Sequence, residues 1–281
     1  MAGNTSVLSG RRSGCGNGRS APSACGAPSR CWAANGMNGS MLKVAALTTP
    51  DGILGGHIIR GMLDAGVVLD AVFLDPTPCS AREGTIHALR TDGGLPPLAL
   101  ACLDGIKADF VAVEDHNSPA AVNLVRERSI DLLVNAGTPR IVSPALLAAP
   151  AMGVLSCHPG RLPDYRGSCA VEHAILENQP VANTVHLMSE GIDEGPVLEV
   201  RDIDLTGVAT YPELRVATYK QGFVLLGCCV EALQAGKRTR DDFIEQGPGN
   251  WHGPVDDMAM SDVEARVADG RYLPLHAASA A

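Results

Sequence analysis

At 281 residues, 46% of them hydrophobic and 4% aromatic, the chain has room for one domain of about 200 residues with tails. No run approaches the roughly 20 consecutive apolar residues that span a bilayer, so a soluble protein with no membrane partner is expected. Net charge is −9, and because the first forty residues hold four arginines and no acid, residues 41–281 carry −13; a surface that acidic repels phosphates, so no nucleic-acid partner is expected.

Residues 1–40 are rich in Gly, Ser, Ala and Asn and cannot bury enough apolar surface to offset ordering entropy, which predicts a disordered, low-complexity tail. From Met41 onward strands and helices alternate. Residues 42–47 read as a short buried strand and 67–74 as a second, while Ile53, Leu54, His57, Ile58 and Met62 between them recur near helical spacing. Residues 75–108 carry no clear pattern. A third strand is predicted over 109–113, after which Ser118-Pro119 opens a helix, serine as N-cap and proline in the first turn. Residues 130–134 form a central strand, Ser143-Pro144 opens a short helix by the same signal, and 152–155 form the next strand. Residues 169–178 read as helix, 182–188 and 197–203 as strands, and 211–235 as a long helix. Gly, Pro and Asp then accumulate, so 237–281 is expected to be a mainly irregular extension. The βαβ rhythm over 41–236 predicts an α/β fold, a doubly wound and mostly parallel sheet, with ligands at the carboxyl ends of its strands.

None of the nine cysteines forms a C-x-x-C pair, so neither a zinc site nor a redox couple is expected, and a reducing cytoplasm suits them. The densest polar pattern is Ser156-Cys157-His158-Pro159-Gly160-Arg161-Leu162-Pro163-Asp164-Tyr165-Arg166-Gly167, directly after a predicted strand. Thr184-Val185-His186 and then Gly191-Ile192-Asp193-Glu194-Gly195-Pro196 follow it. His158 falls where a strand ends, and Asp193 falls in a second loop bounded by Gly and Pro. Taken singly, His158 reads as a satisfied structural histidine and Asp193 as a turn cap. Taken together, a histidine and a carboxylate on neighbouring strand-end loops are the parts needed for proton handling at a carbonyl.

The pattern resembles the formyltransferase family, which uses 10-formyltetrahydrofolate as formyl donor and whose first motif reads Asn-x-His-Pro-x-x-Leu-Pro-x-Tyr-Arg-Gly. The resemblance spans residues 41–235 and is strongest over 130–198. It implies a Rossmann-like formyltransferase fold, a one-carbon transferase activity, and a reduced folate and a small amine as partners, with oligomeric state left open. By resemblance, His158 is the central hydrogen-bond donor and proton-handling group, and Asp193 orients it. His186, on one face of its strand with Thr184 and Met188, would lie near the acceptor amine. Arg166 would meet a substrate carboxylate or form a structural ion pair. Arg140, Ile141 and Val142 would hold the pterin ring of the folate, with Gly191 and Ile192 on the other side of the slot. Cys157 reads as a core residue, since nothing marks it as an activated thiolate.

Ser156 departs from the family, which has asparagine there to donate an amide N–H to the developing oxyanion. Loss of one such donor costs about 2.7–4 kcal/mol. Asn135, on the central strand, is a second source of an amide. Two other readings stay open: a formyltetrahydrofolate hydrolase, and a folate-binding relic whose catalysis was lost with the asparagine. The acceptor is narrowed by the first strand-to-helix loop, Thr48 to His57. Glycinamide ribonucleotide transformylases bind a phosphate there, whereas Pro50 removes an N–H and Asp51 adds negative charge. Methionyl-tRNA formyltransferases carry a basic C-terminal barrel, for which residues 237–281 are too few and of the wrong charge. A small amine, either an amino sugar or an amino-acid derivative, is the expected acceptor.

Overall fold

The computed structural model describes residues 41–277. The tail expected over 1–40 lies outside the described residues. The elements run β1 (Val44–Thr48), α1 (Gly55–Asp64), β2 (Leu69–Leu74), α2 (Ala81–Thr91), β3 (Asp109–Ala112), α3 (Pro119–Glu127), β4 (Leu132–Asn135) and α4 (Pro144–Leu147). There follow β5 (Gly153–His158), β6 (Arg166–Gly167), α5 (Ala170–Leu176), β7 (Ala182–Leu187), β8 (Val197–Asp202), α6 (Tyr211–Gln234), β9 (Trp251–His252) and α7 (Asp257–Ala268).

Seven strands form one sheet in the order β3-β2-β1-β4-β5-β7-β8. The first five run parallel, β7 pairs antiparallel with β5, and β8 pairs antiparallel with β7. The chain order reverses between β1 and β4, so the crevice at the carboxyl ends of β1, β4 and β5 is where a ligand is expected. Runs such as Val44-Ala45-Ala46-Leu47 and Leu132-Leu133-Val134 are buried on both sides, as parallel strands covered by helices must be. One face packs on α1 and α6 through Ile59, Met62, Leu225, Leu226 and Val230, and the other on α3 and α4 through Val122, Val125 and Leu146.

The helix starts follow side-chain chemistry. Ser118 and Ser143 accept the N–H groups of Ala121 and Leu146, with proline at the first turn of each helix. Thr210 and Glu213 form a reciprocal capping box at α6. By length and composition α6 could cross a membrane, yet its apolar residues Leu214, Leu225, Leu226, Val230 and Leu233 are buried in this fold. The stretch without a readable pattern, 75–108, contains α2, opened by a Ser80–Glu83 capping box.

The extension expected to be mainly irregular holds the twelve-residue helix α7, capped by the Asp256 carboxylate. Its Val263 and Val267, together with Tyr272, are buried in a third apolar cluster with Ala174, Ile175 and Leu214. The Tyr272 hydroxyl donates to the Gln179 carbonyl and accepts the Val181 N–H. Two apolar residues one turn apart are a faint signal in sequence. They gain a buried face only once α5 and α6 are folded beside them.

Candidate active site

Asn135 ends β4 and His158 ends the adjacent parallel strand β5. Alternation along β5 turns Ser156 and His158 to the same face, and antiparallel pairing sets Ser156 opposite His186 of β7. The loop after β7 brings back Asp193 at φ 58°, a left-handed conformation that aspartate tolerates better than most residues. Its Oδ2 accepts the Gly167 N–H at 2.9 Å, which ties the two motif loops together.

Asp193 lies between two imidazoles. Oδ2 is 3.4 Å from His158 Nδ1, and Oδ1 is 3.6 Å from His186 Nε2. A carboxylate–imidazole distance of the His158 length is usual in an enzyme without its substrate. The remaining nitrogen of each ring is fixed by backbone: His158 Nε2 donates to the Tyr165 carbonyl at 2.7 Å, and His186 Nδ1 donates to the Leu187 carbonyl at 2.9 Å. Gly160 permits the His158 pose, since a β-carbon there would sit 2.6 Å from Nε2. Burial pushes the His186 imidazolium down to about 4, against the pull of the Asp193 carboxylate. His186 is therefore neutral near pH 7 with its proton on Nδ1. Its Nε2 lone pair has no hydrogen-bond partner among the described residues.

Ser156 Oγ accepts from Asn135 Nδ2 at 3.3 Å. The Asn135 carbonyl oxygen in turn accepts the N–H groups of Gly137 and Thr138 at 3.1 and 3.0 Å, which fixes the amide nitrogen toward Ser156. An oxygen that accepts in this way keeps its own O–H for another acceptor. The Ser156 hydroxyl and the amide of Asn135 on the neighbouring strand thus stand together at the smaller cavity.

Two cavities share Asn135 as a wall. The smaller, about 270 Å³, is lined by Ser156, His186, Asp193, the Arg140-Ile141-Val142 loop and the Gly191-Ile192 loop. Ile141 and Ile192 are 84% and 57% exposed, so this cavity presents bare apolar surface between polar groups. The larger, about 340 Å³, is lined by His158, Asn183, Arg90, Glu172, Arg215 and Tyr219 among others.

Four expected residues, Ser156, His158, His186 and Asp193, therefore converge. His186 lines the smaller cavity rather than the one that holds His158, because the β5–β7 pairing sets it across from Ser156. Arg166 takes the structural alternative, with Nη1 3.8 Å from Glu194 Oε1. Its guanidinium donates to Gln246 Oε1 at 3.2 and 2.9 Å and to the Gly247 carbonyl at 3.0 Å, and it lines neither cavity. It acts as a strut for the C-terminal extension. Arg140 is similarly committed, with Nε 2.9 Å from Asp75 Oδ2 and Nη2 2.7 Å from Thr77 Oγ1. Burial alone would raise the Asp75 carboxyl, but hydrogen bonds from Arg140, Thr77 and the His116 N–H hold it well below the usual range. Burial pushes the Cys157 thiol up to about 12, which leaves it inert. Arg90, Glu172 and Arg215 carry no motif and were not foreseen as site residues.

The fold is a doubly wound, mostly parallel sheet of the Rossmann-like type found in formyltransferase structures. Residues 101–224 match the family model described as Formyl transferase. Methionyl-tRNA formyltransferase of Phenylobacterium zucineum is 27% identical over 207 residues, 73% of this chain and 64% of that protein. The enzyme of the same name from Methylacidiphilum infernorum is 32% identical over 128 residues, 45% of this chain and 40% of that protein. The chain thus spans less than two thirds of the length of either. Among solved structures, a 4-N formyltransferase from Francisella tularensis matches with a TM-score of 0.52 at 16% identity, covering 81% of this chain and 88% of that one. Glycinamide ribonucleotide transformylase 1 from Symbiobacterium toebii matches with a TM-score of 0.51 at 20% identity, covering 70% and 89%. Both likenesses concern the fold. The family match covers residues 101–224, and the fold is shared with formyltransferase structures.

Proposed function

We propose that the protein is an N-formyltransferase that moves a formyl group from 10-formyltetrahydrofolate to a small amine. The observation that carries this reading is the meeting of two cavities at Asn135, with Ser156, His186 and Asp193 on one side and His158 on the other. The folate donor suits the smaller cavity, where the exposed faces of Ile141 and Ile192 would sandwich a flat ring and the polar groups would meet its edge. The amine suits the larger.

In the transfer, the amine lone pair attacks the formyl carbon and the carbonyl oxygen takes up negative charge. The Ser156 hydroxyl and the Asn135 amide are the donors for that oxygen. Collapse breaks the bond from the formyl carbon to N10 of the folate. One amine proton leaves through the His158–Asp193 pair, with the His186 lone pair at its side, and ends on N10. The products are the N-formyl amine and tetrahydrofolate, and no oxidant or reductant is required.

The curated relatives are named for methionyl-tRNA. A net −13 over residues 41–281 opposes a polyphosphate acceptor, which supports the small amine. The test is tetrahydrofolate release from the full chain with and without an amine panel. Amine-dependent release supports the transferase. Amine-independent release would make the protein a hydrolase, and folate binding without turnover a relic.

A further inference from the structure

The larger cavity contains a charge imbalance. Glu172 of α5 and Arg215 of α6 are 1% and 2% exposed, and Arg90 of α2 leans over them from the cavity rim. The single carboxylate oxygen Glu172 Oε1 serves three donors: Arg90 Nε at 3.2 Å, Arg215 Nη1 at 3.8 Å and the Tyr211 hydroxyl. Arg90 Nη2 reaches Cys169 Sγ at 3.2 Å, and Arg215 Nη2 reaches the Tyr219 hydroxyl at 2.7 Å. Neither partner is an anion. Two buried polar atoms, Arg215 Nε and Glu172 Oε2, have no hydrogen-bond partner among the described residues. Two guanidinium groups against one carboxylate leave one positive charge in surroundings largely removed from water, and a buried charge left without a counterion is costly. The only other titratable side chains among those lining this cavity are His158, Cys157, Cys169 and Tyr219.

We propose that the acceptor amine carries a carboxylate, held by Arg215 Nε and Arg90, while its amine reaches His158 in the same cavity. This rests on reading the larger cavity as the acceptor's. The match is one charge to one. A phosphate dianion would exceed it, directly beside Glu172. The bare Glu172 Oε2 takes a hydroxyl or ammonium donor of the same molecule. The acceptor class is therefore an amino-acid derivative rather than a neutral amino sugar.

The experiment uses the full chain and two matched sets of probes. One holds aminocarboxylates (β-alanine, 4-aminobutyrate, ornithine, lysine, phenylalanine) and the other the corresponding amines without the carboxylate (ethylamine, propylamine, putrescine, cadaverine, phenethylamine). Binding is read without folate by saturation-transfer NMR, and turnover by tetrahydrofolate release from 10-formyltetrahydrofolate. The expected result is binding and turnover with aminocarboxylates only. Arg90→Gln removes the surplus charge at the less buried arginine, leaving a neutral Arg215–Glu172 pair. It should weaken aminocarboxylate binding about tenfold or more, with the plain amines still showing no binding. Equal binding of both sets, binding of neither, or an Arg90→Gln protein that binds aminocarboxylates normally overturns the proposal. Aminocarboxylate binding in a protein that does not bind folate would instead sink the formyl-transfer reading and leave only the carboxylate site at Arg90 and Arg215 standing.

Discussion

Replacing Ser156 with alanine tests whether a hydroxyl has taken over the task of the family's asparagine. The substitution removes the O–H that is free to donate into the smaller cavity and the acceptor that Asn135 Nδ2 meets at 3.3 Å. If that O–H meets the developing oxyanion, kcat should fall by about 10²–10³, equivalent to ~2.7–4 kcal/mol. The loss should sit in kcat rather than KM, because the bond strengthens only as the carbonyl becomes tetrahedral. Stability should fall far less, by about 1 kcal/mol, since a half-buried Asn135 amide can turn to water. Asn135→Ala should cost a similar factor, and the double variant little more than either single one, because the two groups act as one unit. The assay is single-turnover tetrahydrofolate formation at saturating amine, with the melting temperature measured alongside. Ser156→Asn supplies the amide directly and should raise kcat if its added atoms fit the cavity of about 270 Å³. A Ser156→Ala enzyme within threefold of the parent kcat, with folate still bound, would refute the assignment of this pair.

Three further outcomes are expected. Asp193→Asn, which breaks the contact between the imidazoles, should lower kcat roughly a hundredfold while folate affinity changes less than tenfold, and combining it with His158→Ala should add little; additive losses in steady-state kinetics would indicate separate roles. A reduced folate should raise the melting temperature with concentration, by about 2.7 kcal/mol of stability at a hundred times Kd, and protect residues 140–142 and 191–192 from hydrogen exchange; no shift at millimolar folate would count against the donor site. The third concerns acid stability: His186 is pushed from 6.5 down to about 4 by burial, so the unfolded chain takes up its proton first as pH falls. This contribution is complete above about 6.5 and is lost as pH falls through about 4, up to ~3 kcal/mol in all. His186→Gln should flatten denaturant-derived stability over that window, and an unchanged slope would show that another group is responsible.

What was legible in the sequence was local. Ser118-Pro119 and Ser143-Pro144 start helices because a hydroxyl cap and a proline first turn need no tertiary partner, and the structure begins α3 and α4 at those prolines. The Ser80–Glu83 box was equally visible yet went unread, because α2 is too polar to show an apolar stripe: Thr91 is its only buried residue. The motif loops could be read because their constraints are written residue by residue. Gly160 must be small beside His158, and Asp193 must reach the Gly167 amide. Arg166 was left between two readings for a physical reason: a motif arginine looks available until Glu194 and the distant Gln246 and Gly247 are folded against it.

The helix-borne wall of the larger cavity lay beyond sequence reasoning altogether. Arg90, Glu172 and Arg215 come from three helices, and each by itself is an ordinary charged residue on a helix. Their meaning arises only where α2, α5 and α6 pack and exclude water, because one surplus charge costs almost nothing on a surface and a great deal in a cavity. Donor chemistry is common to a family and sits in loops that a pattern can describe. On the acceptor reading proposed above, choice of amine would be set by which charges the helices bury together, and there the specificity of this chain is to be sought.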